Sequence, residues 1–255
     1  MTLELITVPC LTDNYAFIVG NTATREAAVI DAPQAAPINA ALRAGNWRLT
    51  SVVLTHHHAD HVDGLDDLDG RADAQVIGAQ ADAHRLPPLT TPVSDGDTVS
   101  LCGQDAQVFD VSGHTINHIA LYLPQSGYAF TADSLMAMGC GRLFEGTPDQ
   151  MWQSLLKLRA LPPETIICSG HEYTASNAQF AATLDPDNAA LRSRINDITK
   201  ARANGLPTVP STLASEISTN PFLRADDPAL KTALGMQDSS DAAVFAEIRA
   251  RKDRF

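Results

Sequence analysis

An α/β domain carrying a smaller helical one is the fold class that this 255-residue sequence predicts. Three features predict it. Short apolar runs alternate with loops through the first two thirds of the chain. A helix-length segment interrupts them near 34–44, ahead of a strand-like run. From about 174 onward only helical patterns remain, punctuated by Pro186, Pro207, Pro210, Pro221 and Pro228.

In chain order, strands are expected at 3–8, 15–20, 26–31 and 50–55, then at 75–78, 98–102, 107–111, 118–123 and 127–132. A helix fits 148–160, because Thr147 can cap it, Pro148 suits its first turn, and Leu155, Leu156 and Leu158 supply apolar contacts. Pro162 and Pro163 stop that helix, and Thr165-Ile166-Ile167-Cys168 reads as a further buried strand. Helices follow at 174–183, 187–203, 227–235 and 239–252. No internal repeat or low-complexity tail is present.

Acidic residues outnumber basic ones 30 to 18, for a formal charge of -12. That disfavours nucleic acid, whose binding depends on a basic footprint, so no nucleic-acid partner is expected, and an anionic ligand would require a local basic patch. Residues 249–254 provide one: Arg249, Arg251, Lys252 and Arg254 against Asp253 give +3. Cations also suit a helix C-terminus, so charge alone does not decide between these roles. No apolar run approaches 18 residues, so no spanning helix and no membrane partner is expected. Cys10, Cys102, Cys140 and Cys168 form no CxxC pair and no signal peptide precedes them, which reads as reduced thiols in a cytoplasmic protein. A monomer is the working expectation.

The chemistry concentrates at residues 55–61, Thr-His-His-His-Ala-Asp-His, directly after Val52-Val53-Leu54. Four of eight histidines fall in six positions at a strand end. Packing them for bulk alone would leave eight ring nitrogens to satisfy. Imidazole with carboxylate suits a borderline divalent metal. His56 and His58 can converge on one ion, while Asp60 and His61 face a second. His57 points elsewhere, His118 reads as a core or supporting histidine, and His84 as a surface residue. Three later strand ends bring His114, Asp133 and His171, enough donors for two metals. Ser112 and Ser169 lie in no nucleophile-elbow pattern.

His56-x-His58-x-Asp60-His61 with His114, Asp133 and His171 resembles the metallo-β-lactamase superfamily over roughly the first 170 residues. That resemblance implies a four-layer αββα sandwich with the metals at the edge of its two sheets. Asp13-Asn14-Tyr15, Gly139-Cys140-Gly141-Arg142-Leu143-Phe144-Glu145-Gly146, Gly170-His171-Glu172-Tyr173-Thr174, Pro221-Phe222-Leu223-Arg224 and Arg251-Lys252-Asp253-Arg254-Phe255 resemble the hydroxyacylglutathione hydrolases (glyoxalase II) over essentially the whole chain. The domains implied are 1–172, metal-binding and catalytic, and 173–255, helical and thioester-binding.

The resemblance implies two divalent ions per chain, zinc first, with iron or manganese tolerated. Metal 1 would be held by His56, His58, His114 and Asp133, and metal 2 by Asp60, His61, His171 and the same Asp133 as bridge. Asp60 and Asp133 would position the attacking hydroxide. Arg142, Tyr173, Arg249 and Lys252 would hold the glutathione moiety, with Phe144 giving apolar contact only. The implied reaction is hydrolysis of S-(2-hydroxyacyl)glutathione, typically S-D-lactoylglutathione, to glutathione and a 2-hydroxy acid, as in methylglyoxal detoxification. The thiolate is a fair leaving group without a strong general acid. Two departures from the family pattern stand out. Ala132 replaces a frequent glycine, setting a methyl at the strand end beside Asp133, and Asn117 replaces another where left-handed backbone suits asparagine. Neither removes a ligand. The competing readings are another metal hydrolase (lactone, β-lactam, phosphodiester or sulfonate), a one-iron persulfide dioxygenase, and a non-catalytic metal-binding protein. Seven candidate ligands exceed the four of a closed structural zinc site.

Overall fold

The computed structural model describes residues 3–255, which fall into two compact units. The first comprises residues 3–110 and Asn117–Ala132. One of its sheets runs β1 (Glu4–Cys10), β2 (Asn14–Gly20), β3 (Glu26–Ile30), β4 (Arg48–Leu54), β5 (Gln75–Ala79) and β6 (Thr91–Val93) in spatial order. The first three strands pair antiparallel, and β3 to β6 are parallel. β4 reads Arg-Leu-Thr-Ser-Val-Val-Leu because both its faces are covered, which removes the need for alternation. The crossover between β3 and β4 is α1 (Ala35–Ala44). Its Ile38 and Leu42 pack with Val29, Val52, Leu54 and Val76 in one apolar cluster.

The other strands of this unit are β7 (Thr98–Leu101), β8 (Gln104–Asp110), β9 (Ile119–Leu123) and β10 (Tyr128–Ala132), a chain of antiparallel pairs. Cys102 (φ 52°) and Gly103 (φ 84°) make the two-residue turn between β7 and β8, with the left-handed backbone such hairpins require. Phe17 of β2 meets Phe130 of β10 with ring centroids 5.8 Å apart, so the two sheets share a core within this unit. The short α2 (Ala59–Val62) lies inside the histidine cluster.

The second unit comprises Val111–Ile116 and Asp133–Phe255. It opens with the two-stranded β11 (Leu135–Met136) and β12 (Gly139–Cys140), then α3 (Pro148–Arg159) and β13 (Ile166–Ser169). Helices α4 (Thr174–Leu184) and α5 (Ala189–Ala203) follow, then β14 (Ser211–Thr212), α6 (Leu213–Thr219), α7 (Pro228–Leu234) and α8 (Asp241–Arg254). The cap expected for α3 is a full capping box, with Thr147 accepting from the Gln150 N–H and Gln150 returning to the Thr147 N–H. Behind it, Ser154 donates to the Ser112 carbonyl at 2.7 Å and so ties α3 to the loop that carries His114. The predicted helices after 174 are present with ends shifted by one or two residues. Strand β6, the two-residue strands and α6 lie where no element was expected. Among the described residues no helix is long and apolar enough to cross a membrane.

Asn117 has φ 66° and Ala132 φ 41°, so both glycine replacements occupy left-handed backbone. For Ala132 that conformation costs about 1–2 kcal/mol. A glycine there would relieve it, but would lose a buried methyl worth about 0.8 kcal/mol and add chain entropy worth about 0.5–1 kcal/mol. The terms nearly cancel, which explains why alanine is tolerated. Ala132→Gly should therefore leave unfolding free energy within about 0.5 kcal/mol of the parent by denaturant titration; a gain above about 1.5 kcal/mol would show unrelieved crowding at this strand end.

Candidate metal centre and substrate loop

In the first unit the parallel strand β4 delivers Thr55 and then His56, His58 and His61 at its C-terminal end, with His56 and His61 buried. The neighbouring parallel strand β3 ends one residue before Asp31, whose left-handed φ of 58° turns its carboxylate across to the cluster. Asp31 Oδ1 accepts from the Thr55 N–H at 2.8 Å and Oδ2 from the Thr55 hydroxyl at 2.9 Å. The same Oδ2 lies 2.8 Å from His61 Nδ1. An imidazole whose Nδ1–H is held by a carboxylate presents Nε2 to a metal and is made more basic. Asp31, His56 and His61 accordingly lie within metal-site distance of one another, with Asp31 engaged from behind.

His56 follows the same rule, with Nδ1 3.0 Å from the Thr55 hydroxyl and Nε2 3.2 Å from His58 Nδ1. Two ring nitrogens facing one another at that distance suit convergence on one cation. Asp60 Oδ2 sits 3.8 Å from His61 Nε2, and Asn14 donates at 3.0 Å to both the Asp60 carbonyl and Oδ2. His57 turns away to the buried Asp82, with Nδ1 3.1 Å from its Oδ2. His118 stacks on His56, with centroids 4.5 Å apart and planes at 17°, and supports its orientation. His84 is exposed.

The second unit holds its own donors. Asp133, one residue beyond β10, lies with Oδ2 3.4 Å from His114 Nε2 and 3.3 Å from His171 Nε2. One carboxylate oxygen thus faces two imidazoles at nearly equal range. His114 Nδ1 faces the Arg142 carbonyl at 2.8 Å, so its tautomer too is fixed from behind. That contact joins the metal donor to the Gly139–Gly146 loop. Gly141 is obligatory there, since a Cβ would come 2.1 Å from the Asp133 carbonyl and 2.7 Å from His114 Nδ1. The chain thus carries two His/Asp donor clusters whose chemistry and outer hydrogen bonds fit divalent ions, as expected of a binuclear metal centre.

The proposed substrate residues also lie in this unit. Phe144, 60% exposed, sets its ring edge-on to His114 at 5.3 Å, and the Arg142 guanidinium lies 6.0 Å over that ring. Tyr173, 40% exposed, stacks on His171 at 4.6 Å with planes at 6°. Arg249 differs. Its side chain is 8% exposed, Nη1 donates to the Cys140 carbonyl at 3.0 Å, and Nε and Nη2 bind Asp253 Oδ1 at 3.0 and 2.8 Å. It holds the glycine loop from below. Arg142, 60% exposed, lies 3.6 Å from that same Asp253 oxygen.

Neither Asp31 nor the polar residues that fix the loop's approach stand in any motif of the sequence. Asn220 donates to the Met136 and Gly139 carbonyls at 3.1 and 3.0 Å, and Asn177 to Ala137 at 3.1 Å. The fully buried Glu216 accepts from the Met138 N–H at 2.8 Å and pairs with Arg194. All four cysteines are buried and unpaired with one another. Burial pushes Cys10, Cys102 and Cys140 up to about 11 and Cys168 well above its ordinary value, so none is poised as a nucleophile.

Residues 14–171 match the metallo-β-lactamase superfamily, and residues 172–255 match the hydroxyacylglutathione hydrolase C-terminus. Over the full length of both chains, the sequence is 61% identical to a hydroxyacylglutathione hydrolase of Ruegeria pomeroyi and 60% identical to one of Cereibacter sphaeroides. Among solved structures, the BLEG-1 B3 metallo-β-lactamase superposes with a TM-score of 0.67 at 18% identity, covering 86% of this chain and 99% of its own. ETHE1 from Myxococcus xanthus gives 0.66 at 25% identity, covering 98% and 90%. The fold is therefore the αββα metallo-β-lactamase sandwich with a C-terminal helical subdomain. By sequence along its whole length, the chain belongs to the hydroxyacylglutathione hydrolase family of that superfamily.

Proposed function

We propose that this protein hydrolyses S-(2-hydroxyacyl)glutathione thioesters, typically S-D-lactoylglutathione, to glutathione and a 2-hydroxy acid. The observation that carries the reading is the join between metal donors and substrate loop, where the His114 ring is held by the carbonyl of Arg142. Full-length relatives at 54–61% identity support the same substrate class. Within this reading His56, His58, His114 and Asp133 hold one ion, and Asp60, His61, His171 and Asp133 the other. Zinc suits these ligands first, and iron and manganese tolerate them. In this reading residues 1–172 are the catalytic domain and 173–255 the thioester-binding domain, a division by sequence that does not follow the two compact units. Buried, unpaired thiols support a cytoplasmic protein.

When bound, two such ions supply a Lewis acid for the thioester carbonyl and a nucleophile at neutral pH. Asp60, held by Asn14, and Asp133, held between His114 and His171, fix the line of attack. The exposed Arg142 meets the peptide portion of the substrate, where a guanidinium can grip a carboxylate through two donors. Tyr173 and Phe144 flank the reacting end with their rings. Arg249 supports Arg142 by holding Cys140, and Lys252 adds a second cation to the patch. The departing thiolate needs no protein acid at neutral pH.

Metal counting and turnover in one sample test the assignment. S-D-lactoylglutathione should be hydrolysed with two ions per active chain, and preferential turnover of a lactone or phosphodiester would overturn it. Asp133→Ala should lose metal and turnover together; retention of both would remove Asp133 as the bridge. Asp31→Asn, which touches no proposed substrate group, should weaken metal affinity about 10–100-fold in chelator competition. Undiminished affinity would show that His61 needs no carboxylate behind it.

A further inference from the structure

Trp152, Phe245, Phe222, Phe180 and Phe255 form a row through the helical part of the second unit, with successive ring centroids 6.1, 5.8, 6.2 and 5.5 Å apart. Three cations lie on it. Arg159 sits 5.4 Å over Trp152, Arg249 5.1 Å over Phe222, and Lys252 Nζ 5.4 Å over Phe180 and 5.2 Å over Phe255. The three differ in how their charge is balanced. Arg159 is gripped by both oxygens of Asp226 at 2.8 and 2.7 Å, and Arg249 binds Asp253. Lys252 makes no ion pair among the described residues. Its ammonium rests between two rings that meet at 62°, with the Ser176 hydroxyl and carbonyl at 3.4 and 3.5 Å.

A carboxylate would neutralise that ammonium, whereas aromatic faces hold a cation and leave its charge available. Phe255 is 60% exposed, so core burial gives little account of its place, and its ring contacts are Phe180 and the Lys252 ammonium. Burial holds the Lys252 ammonium below its ordinary value, assisted by the positive charge of Arg249 and opposed by Asp253. An anion arriving at Lys252 would relieve that tension.

We infer that Phe255 is a positioning residue for the thioester substrate: with Phe180 it cages the Lys252 ammonium and aims an unneutralised charge at the anionic peptide portion. The inference rests on the reading of Lys252 as a substrate cation given above. It assigns the two tail cations different work, Arg249 holding the loop and Lys252 meeting the substrate.

Steady-state kinetics on the metal-loaded full chain test it, with S-D-lactoylglutathione as substrate and metal content checked for each variant. Phe255→Leu keeps an apolar side chain and removes the aromatic face. It should raise KM about two- to five-fold and leave kcat unchanged, while Phe255→Trp should keep KM at or below the parent value. In a Lys252→Met background, which itself raises KM, Phe255→Leu should add nothing, because the two residues act through one contact. An unchanged KM in Lys252→Met would overturn the reading of Lys252, and the cage with it. A raised KM there, with Phe255→Leu either silent alone or equally harmful in both backgrounds, would overturn the positioning role of Phe255 and leave the thioester assignment standing.

Discussion

Every imidazole in this centre must present one chosen nitrogen, and the structure depends on how that choice is enforced. Asp31 does it for His61, Thr55 for His56, and the Arg142 carbonyl for His114. In each case an oxygen faces Nδ1, which leaves Nε2 for the metal. The enforcement reaches back into the sheet. Asp31 and Thr55 stand just past the ends of adjacent parallel strands, whose pairing after the bulge at Ala27/Ala28, with Val29 beside Val52 and Ile30 beside Val53, sets the carboxylate against the cluster. A slip of β3 against β4 would detach the carboxylate from the imidazole it orients.

The sequence made the ligands easier to read than their supports. His56 to His61 announce themselves because polar donors are packed directly after a largely β-branched apolar run that reads as a buried strand. Asp31 gives no such sign, since a single acid after Val-Ile is ordinary, and only the left-handed turn there brings it to His61. Asn177, Glu216 and Asn220 are equally silent. Their partners are backbone groups of residues 136–139, tens of residues away, and no local pattern encodes that meeting.

The elements divide along the same line. Helix α3 was readable from Thr147 and Pro148, which satisfy or dispense with orphan N–H groups at its start. Strand β6 was hidden because Pro92 stands inside it, and proline lacks a ladder donor. The last strand in a sheet tolerates that loss, and β6 is last in its order. The strands of two residues, β11, β12 and β14, are too short to show any period, so tertiary contacts alone define them.

Gly141 packs its backbone against both the Asp133 carbonyl and the His114 ring, with no room for a single carbon. The Asp133 and His114 donors and the loop proposed to meet the peptide therefore share one point of van der Waals contact, and neither can be remodelled there without disturbing the other. The outward rings of Phe144 and Tyr173 border the same donors without supporting them from behind, so they can change without displacing them. The backbone at Gly141 is thus fixed by the donors it touches, while the exposed side chains around it are not.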